Sequence, residues 1–231
     1  MNSAEILLVD DERALREGMK SVLEGEGYRV TLARDGEEAL RKIAERRPSL
    51  VLLDVMMPKL NGFRCCEEIR RTDALLPVIF LTAKDAEADQ VRGMGLGADD
   101  YISKTASDAV LFARIARALA RVANLGESTQ KAGGNFIRLG KIGVDTGTGL
   151  VSEAGVEIAR LTRTELDLLK FFAAHRGEPF VTDDLITELR GNGCDCEDTM
   201  LHVHVYNLRG KLGSSAGLLV NRRGIGYCLL G

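Results

Sequence analysis

Leu50-Val51-Leu52-Leu53-Asp54 sets four consecutive apolar residues against a closing carboxylate. Three other segments have the same form. Ile6-Leu7-Leu8-Val9 ends in Asp10-Asp11, Val78-Ile79-Phe80-Leu81 in Thr82, and Asp100-Tyr101-Ile102-Ser103 in Lys104. Short apolar runs separated by helical patterns read as strands buried on both faces of a parallel sheet. Open sheets of this kind bind ligands outside the carboxyl ends of their strands. Three carboxylates, a hydroxyl and an ammonium are therefore expected along one edge.

Those residue types fit a hard cation and a phosphoryl group. Mg²⁺ prefers a near-octahedral shell of oxygens, drawn from one or two carboxylates, waters and phosphate oxygens. Asp11 and Asp54 are the expected direct ligands, with Asp10 acting through water. A carboxylate can also act as a nucleophile and become an aspartyl phosphate. Asp54 is then the acceptor, Lys104 offsets charge on the transferring oxygens, and Thr82 donates a hydrogen bond to them. Asp10-Asp11 could instead cap the following helix. Four strand ends agreeing in order and spacing favour the pocket.

Leu8-Val9-Asp10-Asp11-Glu12, Leu53-Asp54-Val55-Met56-Met57-Pro58, Asn61-Gly62, Leu81-Thr82-Ala83 and Gly97-Ala98-Asp99-Asp100-Tyr101-Ile102 resemble the receiver domain of bacterial response regulators. The resemblance runs from about Glu5 to Val122. It implies a doubly wound, flavodoxin-like α/β fold with five parallel strands, and Mg²⁺ as the cofactor. It further implies that a sensor histidine kinase phosphorylates Asp54, that the Met56 carbonyl completes the metal shell and that Lys104 pairs with the phosphoryl group. Thr82 and Tyr101 match the family's switch pair. Homodimerisation on phosphorylation is implied for the face formed by the last strand and its flanking helices, where Arg92, Asp99, Asp100, Arg114 and Arg121 match. The chain departs from the family pattern at three positions. Val110 replaces a glutamate partner for Arg92, Thr105 replaces the proline of a cis peptide after Lys104, and Ala106 replaces a bulky apolar residue.

The 231 residues are 45% hydrophobic and 28% charged, an ordinary globular composition for one or two domains. No apolar run approaches the roughly 18 residues of a membrane span. Met-Asn-Ser-Ala-Glu leads directly into a strand without a signal segment. A cytoplasmic protein without membrane contact is expected, its five cysteines reduced.

After Val122 the character changes. Asn124 to Asn135 holds Gly126, Ser128, Gly133 and Gly134 with little apolar content, which reads as a linker. The expected division is residues 1–123, a linker over 124–135, and a second module over 136–231. Short β-like pieces open that module: Phe136 to Leu139, Ile142 to Asp145, Leu150 to Ser152 and Val156 to Ala159. A helix follows Thr162, with Glu165 completing a capping box. A second starts at Thr182 and a third spans about Glu197 to Leu212, before a terminal hairpin. Leu161-Thr162-Arg163-Thr164-Glu165, Val203-His204-Val205 with Leu208-Arg209, and Arg223-Gly224-Ile225-Gly226-Tyr227 resemble the winged helix-turn-helix of OmpR/PhoB-type regulators, an α+β fold. The resemblance implies that the third helix enters the major groove of double-stranded DNA while the hairpin reaches the minor groove. It also implies that the segment holding Cys194 and Cys196 meets RNA polymerase.

The third helix can be read from its spacing alone. Leu201, Val205, Leu208 and Leu212 form a core stripe, leaving Thr199, Val203, Tyr206, Asn207 and Gly210 opposite. His204, Arg209, Lys211, Arg222 and Arg223 complete the expected DNA-facing set. Asn suits adenine and an apolar side chain the thymine methyl, so an A·T-leaning site is expected. Residues 125–231 hold 12 basic and 13 acidic residues, so the cations near the C-terminus act only as a local patch. Cys194, Cys196, His202 and His204 lack the spacing of a zinc finger. The reading is a phosphorylation-controlled transcription regulator without an external substrate. Its alternatives are a regulator that binds DNA constitutively and an adaptor working through protein contacts.

Overall fold

A computed structural model describes residues 4–82, 97–128, 136–191, 198–222 and 226–231. The chain divides into two compact units, Met1–Leu119 and Ala120–Gly231. The first contains β1 (Glu5–Val9), α1 (Arg13–Gly25), β2 (Arg29–Ala33), α2 (Gly36–Glu45), β3 (Leu50–Asp54), α3 (Gly62–Thr72), β4 (Val78–Thr82), β5 (Asp100–Ser103) and the start of α4 (Asp108–Ser128). All five strands are parallel, in the order β2-β1-β3-β4-β5. Because β1 lies between β2 and β3, the order reverses there and a crevice opens at the carboxyl ends of β1 and β3.

Strand alternation supplies both faces of the core. Ile6, Leu8, Leu50, Leu52, Ile79, Leu81 and Ile102 pack with Leu23 of α1 and with Leu111, Ile115 and Ala118 of α4. Leu7, Val9, Val51, Leu53, Val78 and Phe80 are equally buried. Phe80 meets Phe63 of α3 edge-on, with centroids 5.4 Å apart, and Tyr101 at 5.2 Å. Cys65 and Cys66 of α3 are buried, which pushes their thiols up to about 12 and about 11. At neutral pH they remain unreactive packing groups.

Helix α4 continues to Ser128, so residues 124–128 of the expected linker are helical. Ala120, Ala123 and Leu125 are strong helix formers and carry it across Gly126. Residues 129–135 of the expected linker lie outside the described residues.

In the second unit β6 (Phe136–Leu139), β7 (Ile142–Asp145), β8 (Leu150–Glu153) and β9 (Val156–Arg160) form an antiparallel sheet. Helices α5 (Arg163–Ala174), α6 (Thr182–Gly191) and α7 (Asp198–Lys211) follow, then a 3₁₀ turn over Gly213–Leu218 and the hairpin β10 (Leu219–Arg222) with β11 (Gly226–Leu229). Phe180 and Tyr227 exchange backbone hydrogen bonds of 2.8 Å, which ties the hairpin to the segment before α6.

Glu165 joins two helices of this unit. It is fully buried, and its Oε2 accepts from the Thr162 amide at 2.6 Å and from Lys211 Nζ at 2.7 Å. Glu165→Ala leaves that amide and the partly covered ammonium without their acceptor. We expect a loss of about 2 kcal/mol, read as a lower urea midpoint at unchanged slope. A midpoint within error of wild type would show that the pair contributes no net stability.

Candidate functional site

The carboxyl ends of β1 and β3 deliver Asp10 and Asp54 into the crevice, and both side chains are buried. Asp11, next along from β1, is exposed, yet an oxygen from each of the three carboxylates lies within 4.8 Å of the others. That spacing lets the three carboxylates share one hard cation, directly or through a bridging water. Two nearly dry carboxylates that face one another also need a positive charge.

Lys104 supplies one from the end of β5. Its Nζ lies 2.8 Å from Asp10 Oδ2 and 2.9 Å from Asp54 Oδ2. The Lys104–Thr105 peptide is trans, as are the other described peptide bonds. Burial alone would depress the ammonium, but Asp10 and Asp54 outweigh it and hold Lys104 above its ordinary value. Asp54 moves the other way from a simple ion pair. Burial raises its carboxyl above the usual range, Lys104 only partly offsets this, and the nearby Asp10 adds to the rise. The Met56 amide also donates to Asp54 Oδ1, at 3.3 Å.

Helix capping does not account for the acids. Glu12 occupies the α1 N-cap position without a side-chain cap, and Asp10 Oδ1 accepts from the Glu12 amide at 2.8 Å. Arg16 holds the Asp10 carbonyl from the first turn of α1. Thr82, at the end of β4, is buried beside this group. Tyr101 is turned inward against Phe80, with 5% of its surface exposed. Val55–Asn61 connects β3 to α3, and the Met56 side chain stands in solvent.

The expected dimer face is only partly assembled from free charges. Asp99 is not available to a second chain. It is buried, with Oδ2 accepting from Arg70 at 2.8 Å and from the Val78 amide at 2.9 Å. Asp100 pairs with Arg114 at 2.5 Å within the chain. Val110 is exposed. Arg92 lies outside the described residues, as does the Arg121 side chain.

In the second unit the predicted core stripe of α7 is present: Leu201, Val205, Leu208 and Leu212 are all buried. Tyr206 on the opposite face is 77% exposed, with Val203 and Asn207 half-buried beside it. His204 corrects the expected DNA-facing set. At 1% exposure it belongs to the core, because its position lies about 70° from the centre of the leucine stripe, at the stripe's edge beside Leu208. Lys211 turns back to Glu165, and Arg209 Nε donates to the Leu219 carbonyl at 2.6 Å. His202 Nδ1 meets the Tyr227 hydroxyl at 2.6 Å, a helix-to-hairpin contact that spacing alone does not reveal. Arg222 is exposed; Arg223, Cys194, Cys196 and the Thr199 side chain lie outside the described residues.

A family model described as "Response regulator receiver domain" matches residues 6–116. A second, "Transcriptional regulatory protein, C terminal", matches residues 156–229. The chain is 39% identical over 232 residues to a probable transcriptional regulator, ycf27, of Cyanophora paradoxa, covering 98% of this chain and 96% of that protein. It is 38% identical over 229 residues to the response regulator MprA of Mycobacterium ulcerans, covering 98% and 97%. Among solved structures, a RitR mutant matches with a TM-score of 0.83 at 23% identity, covering 98% of this chain and 99% of that one, a likeness of fold. A response regulator receiver domain protein from Clostridium thermocellum matches with a TM-score of 0.51 at 31% identity, over 53% of this chain and 98% of that one.

Proposed function

Because the chain belongs to the response regulators that join a receiver domain to a C-terminal transcriptional regulatory domain, we propose that a sensor histidine kinase phosphorylates Asp54 and that the phosphorylated protein regulates transcription from double-stranded DNA. The observation that carries this reading is the meeting of Asp10, Asp11, Asp54 and Lys104 at one sheet edge. An Asp54 oxygen attacks the phosphorus of a phosphohistidine as the P–N bond breaks, and the imidazole leaves with the bonding pair. Asp11, Asp54 and the Met56 carbonyl would hold Mg²⁺, with Asp10 acting through water, and the ion would supply positive charge beside the phosphoryl oxygens. Lys104 meets a second oxygen, and Thr82 hydrogen-bonds a third while Tyr101 follows its movement. The receiver handles only its own phosphoryl group and turns over no external substrate.

We divide the chain into a receiver over 1–123, a connecting segment over 124–135 and a DNA-binding module over 136–231. Among the described residues no helix is long and apolar enough to cross a membrane, and we place the protein in the cytoplasm. Tyr206, Val203 and Asn207 face the bases, with Thr199 beside them and Arg222 and Arg223 on the backbone. RNA polymerase meets the segment around Cys194 and Cys196. With Lys211 and Arg209 engaged inside the protein, few counterions are displaced on binding. The plot of log K against log salt is expected to be shallower than about −5, with A·T-rich DNA preferred. A slope near −10 in a salt-series gel shift would refute this account of the interface.

A second reading, DNA binding uncoupled from phosphorylation, draws on the dimer face, where Asp99 is buried and Asp100 already pairs with Arg114. Sedimentation with Mg²⁺, with and without beryllofluoride, separates the two. A monomer-to-dimer shift with the mimic supports the switch. Its absence, with the mimic bound at Asp54, supports the second reading.

A further inference from the structure

Seven residues, Val55 to Asn61, connect β3 to α3 and pass beside the acidic cluster. Their path is fixed at both ends by direct backbone contact. At Gly62 an added Cβ would lie 2.2 Å from the Asp54 carbonyl oxygen, and the Gly62 amide donates to Val55 O at 3.0 Å. At the turn, a Cβ added to Gly36, the first residue of α2, would lie 2.7 Å from the Leu60 carbonyl oxygen. The loop is thus seated against both the nucleophile's backbone and the start of α2.

Between those contacts stands Lys59, whose φ of 64° is a left-handed conformation that L side chains rarely adopt. A lysine in that conformation needs a compensating interaction. Its Nζ lies 2.7 Å from Asp35 Oδ2. Asp35 is itself buried, and its other oxygen accepts from the Glu38 amide at 2.9 Å as the N-cap of α2. One carboxylate therefore holds a helix start with one oxygen and the loop with the other. The Lys59 charge also holds the Asp35 carboxyl below the usual range, which agrees with the short contact.

We propose that Lys59 is a positioning residue for the cation pocket, its ion pair with Asp35 fixing the left-handed turn and so the place of the Met56 carbonyl. This rests on the reading of Asp10, Asp11, Asp54 and the Met56 carbonyl as the Mg²⁺ shell. Groups that orient metal ligands from outside the shell commonly change affinity about tenfold or more on removal. The pair works in the same way, although it stands on an exposed rim.

The test is calorimetric titration of the full-length protein with Mg²⁺, beside thermal unfolding of each variant. Lys59→Met keeps the stem and removes the charge; Asp35→Asn keeps a competent N-cap and removes the other charge. Each is expected to weaken Mg²⁺ binding about tenfold, and the double variant no further than either alone, since both break one pair. Lys59→Gly separates positioning from strain, because glycine accepts the left-handed turn freely. It is expected to bind Mg²⁺ about as weakly as Lys59→Met while unfolding no earlier than wild type. Wild-type affinity in Lys59→Met and Lys59→Gly overturns the positioning role and leaves the pocket standing. A wild-type protein that binds no Mg²⁺ overturns the pocket and the proposal together.

Discussion

Asp54→Asn is expected to take up no phosphoryl group from a phosphorylated histidine kinase, while its receiver unit unfolds at the wild-type midpoint or above it. The amide presents no anionic oxygen to phosphorus, and the buried Asp54 carboxylate is the oxygen group that Lys104 holds at 2.9 Å. The stability half follows from the direction of its titration. Burial first, and Asp10 to a smaller degree, raise the folded carboxyl above its ordinary value. The folded state therefore holds the proton more tightly than the unfolded chain. That contribution to stability is present in full below the unfolded value of about 3.9. It declines as pH rises through the unfolded and then the raised folded value, so at neutral pH the ionised Asp54 is a net cost. Asparagine removes that cost, and Lys104 keeps Asp10 at 2.8 Å. Intact mass after kinase treatment, together with thermal melts between about pH 4 and 8, checks both halves. A persistent phosphoryl adduct on the variant would place the acceptor elsewhere.

Gly62→Ala is expected to cost about 3 kcal/mol or more and to lose Mg²⁺ binding with it. The new methyl would sit 2.2 Å from the Asp54 carbonyl oxygen and 2.9 Å from Val55 Cα. Both are backbone atoms at the carboxyl end of β3, so no rotamer relieves the contact, and the strand end or the start of α3 must shift. Gly18, inside α1, is the control. A Cβ there meets nothing within 4 Å, and Gly18→Ala should raise stability by about 0.5–1 kcal/mol through helix propensity. Urea melts of the two variants should therefore move in opposite directions. Equal midpoints would mean that the close approach at Gly62 is absent in solution.

The pocket was legible because each of its parts ends a strand. Apolar runs of strand length locate those ends, and parallel topology brings them to one edge, so Asp10, Asp54, Thr82 and Lys104 needed no knowledge of packing. The core stripe of α7 was legible for a similar reason, since helical periodicity depends only on spacing. Charged side chains on element flanks were less predictable. Asp99 adjoins β5 and could face either way; the outcome rests on Arg70, 29 residues away, reaching it from α3. Lys211 turns toward Glu165, 46 residues away. His204 looked polar and available, yet its angle from the leucine stripe places it inside. The Asp35–Lys59 pair links two loops whose approach depends on glycines at positions 36 and 62, and a residue list carries no such distance.

The inward anchoring of Lys211 and Arg209 also bears on kinetics. A formal charge of −3 on the whole chain, with Lys211 already balanced by Glu165, gives little long-range attraction toward a phosphate backbone. Encounter with a DNA site then proceeds near the unsteered rate of about 10⁵–10⁶ M⁻¹s⁻¹. Occupancy of such a site is governed by residence time rather than by capture.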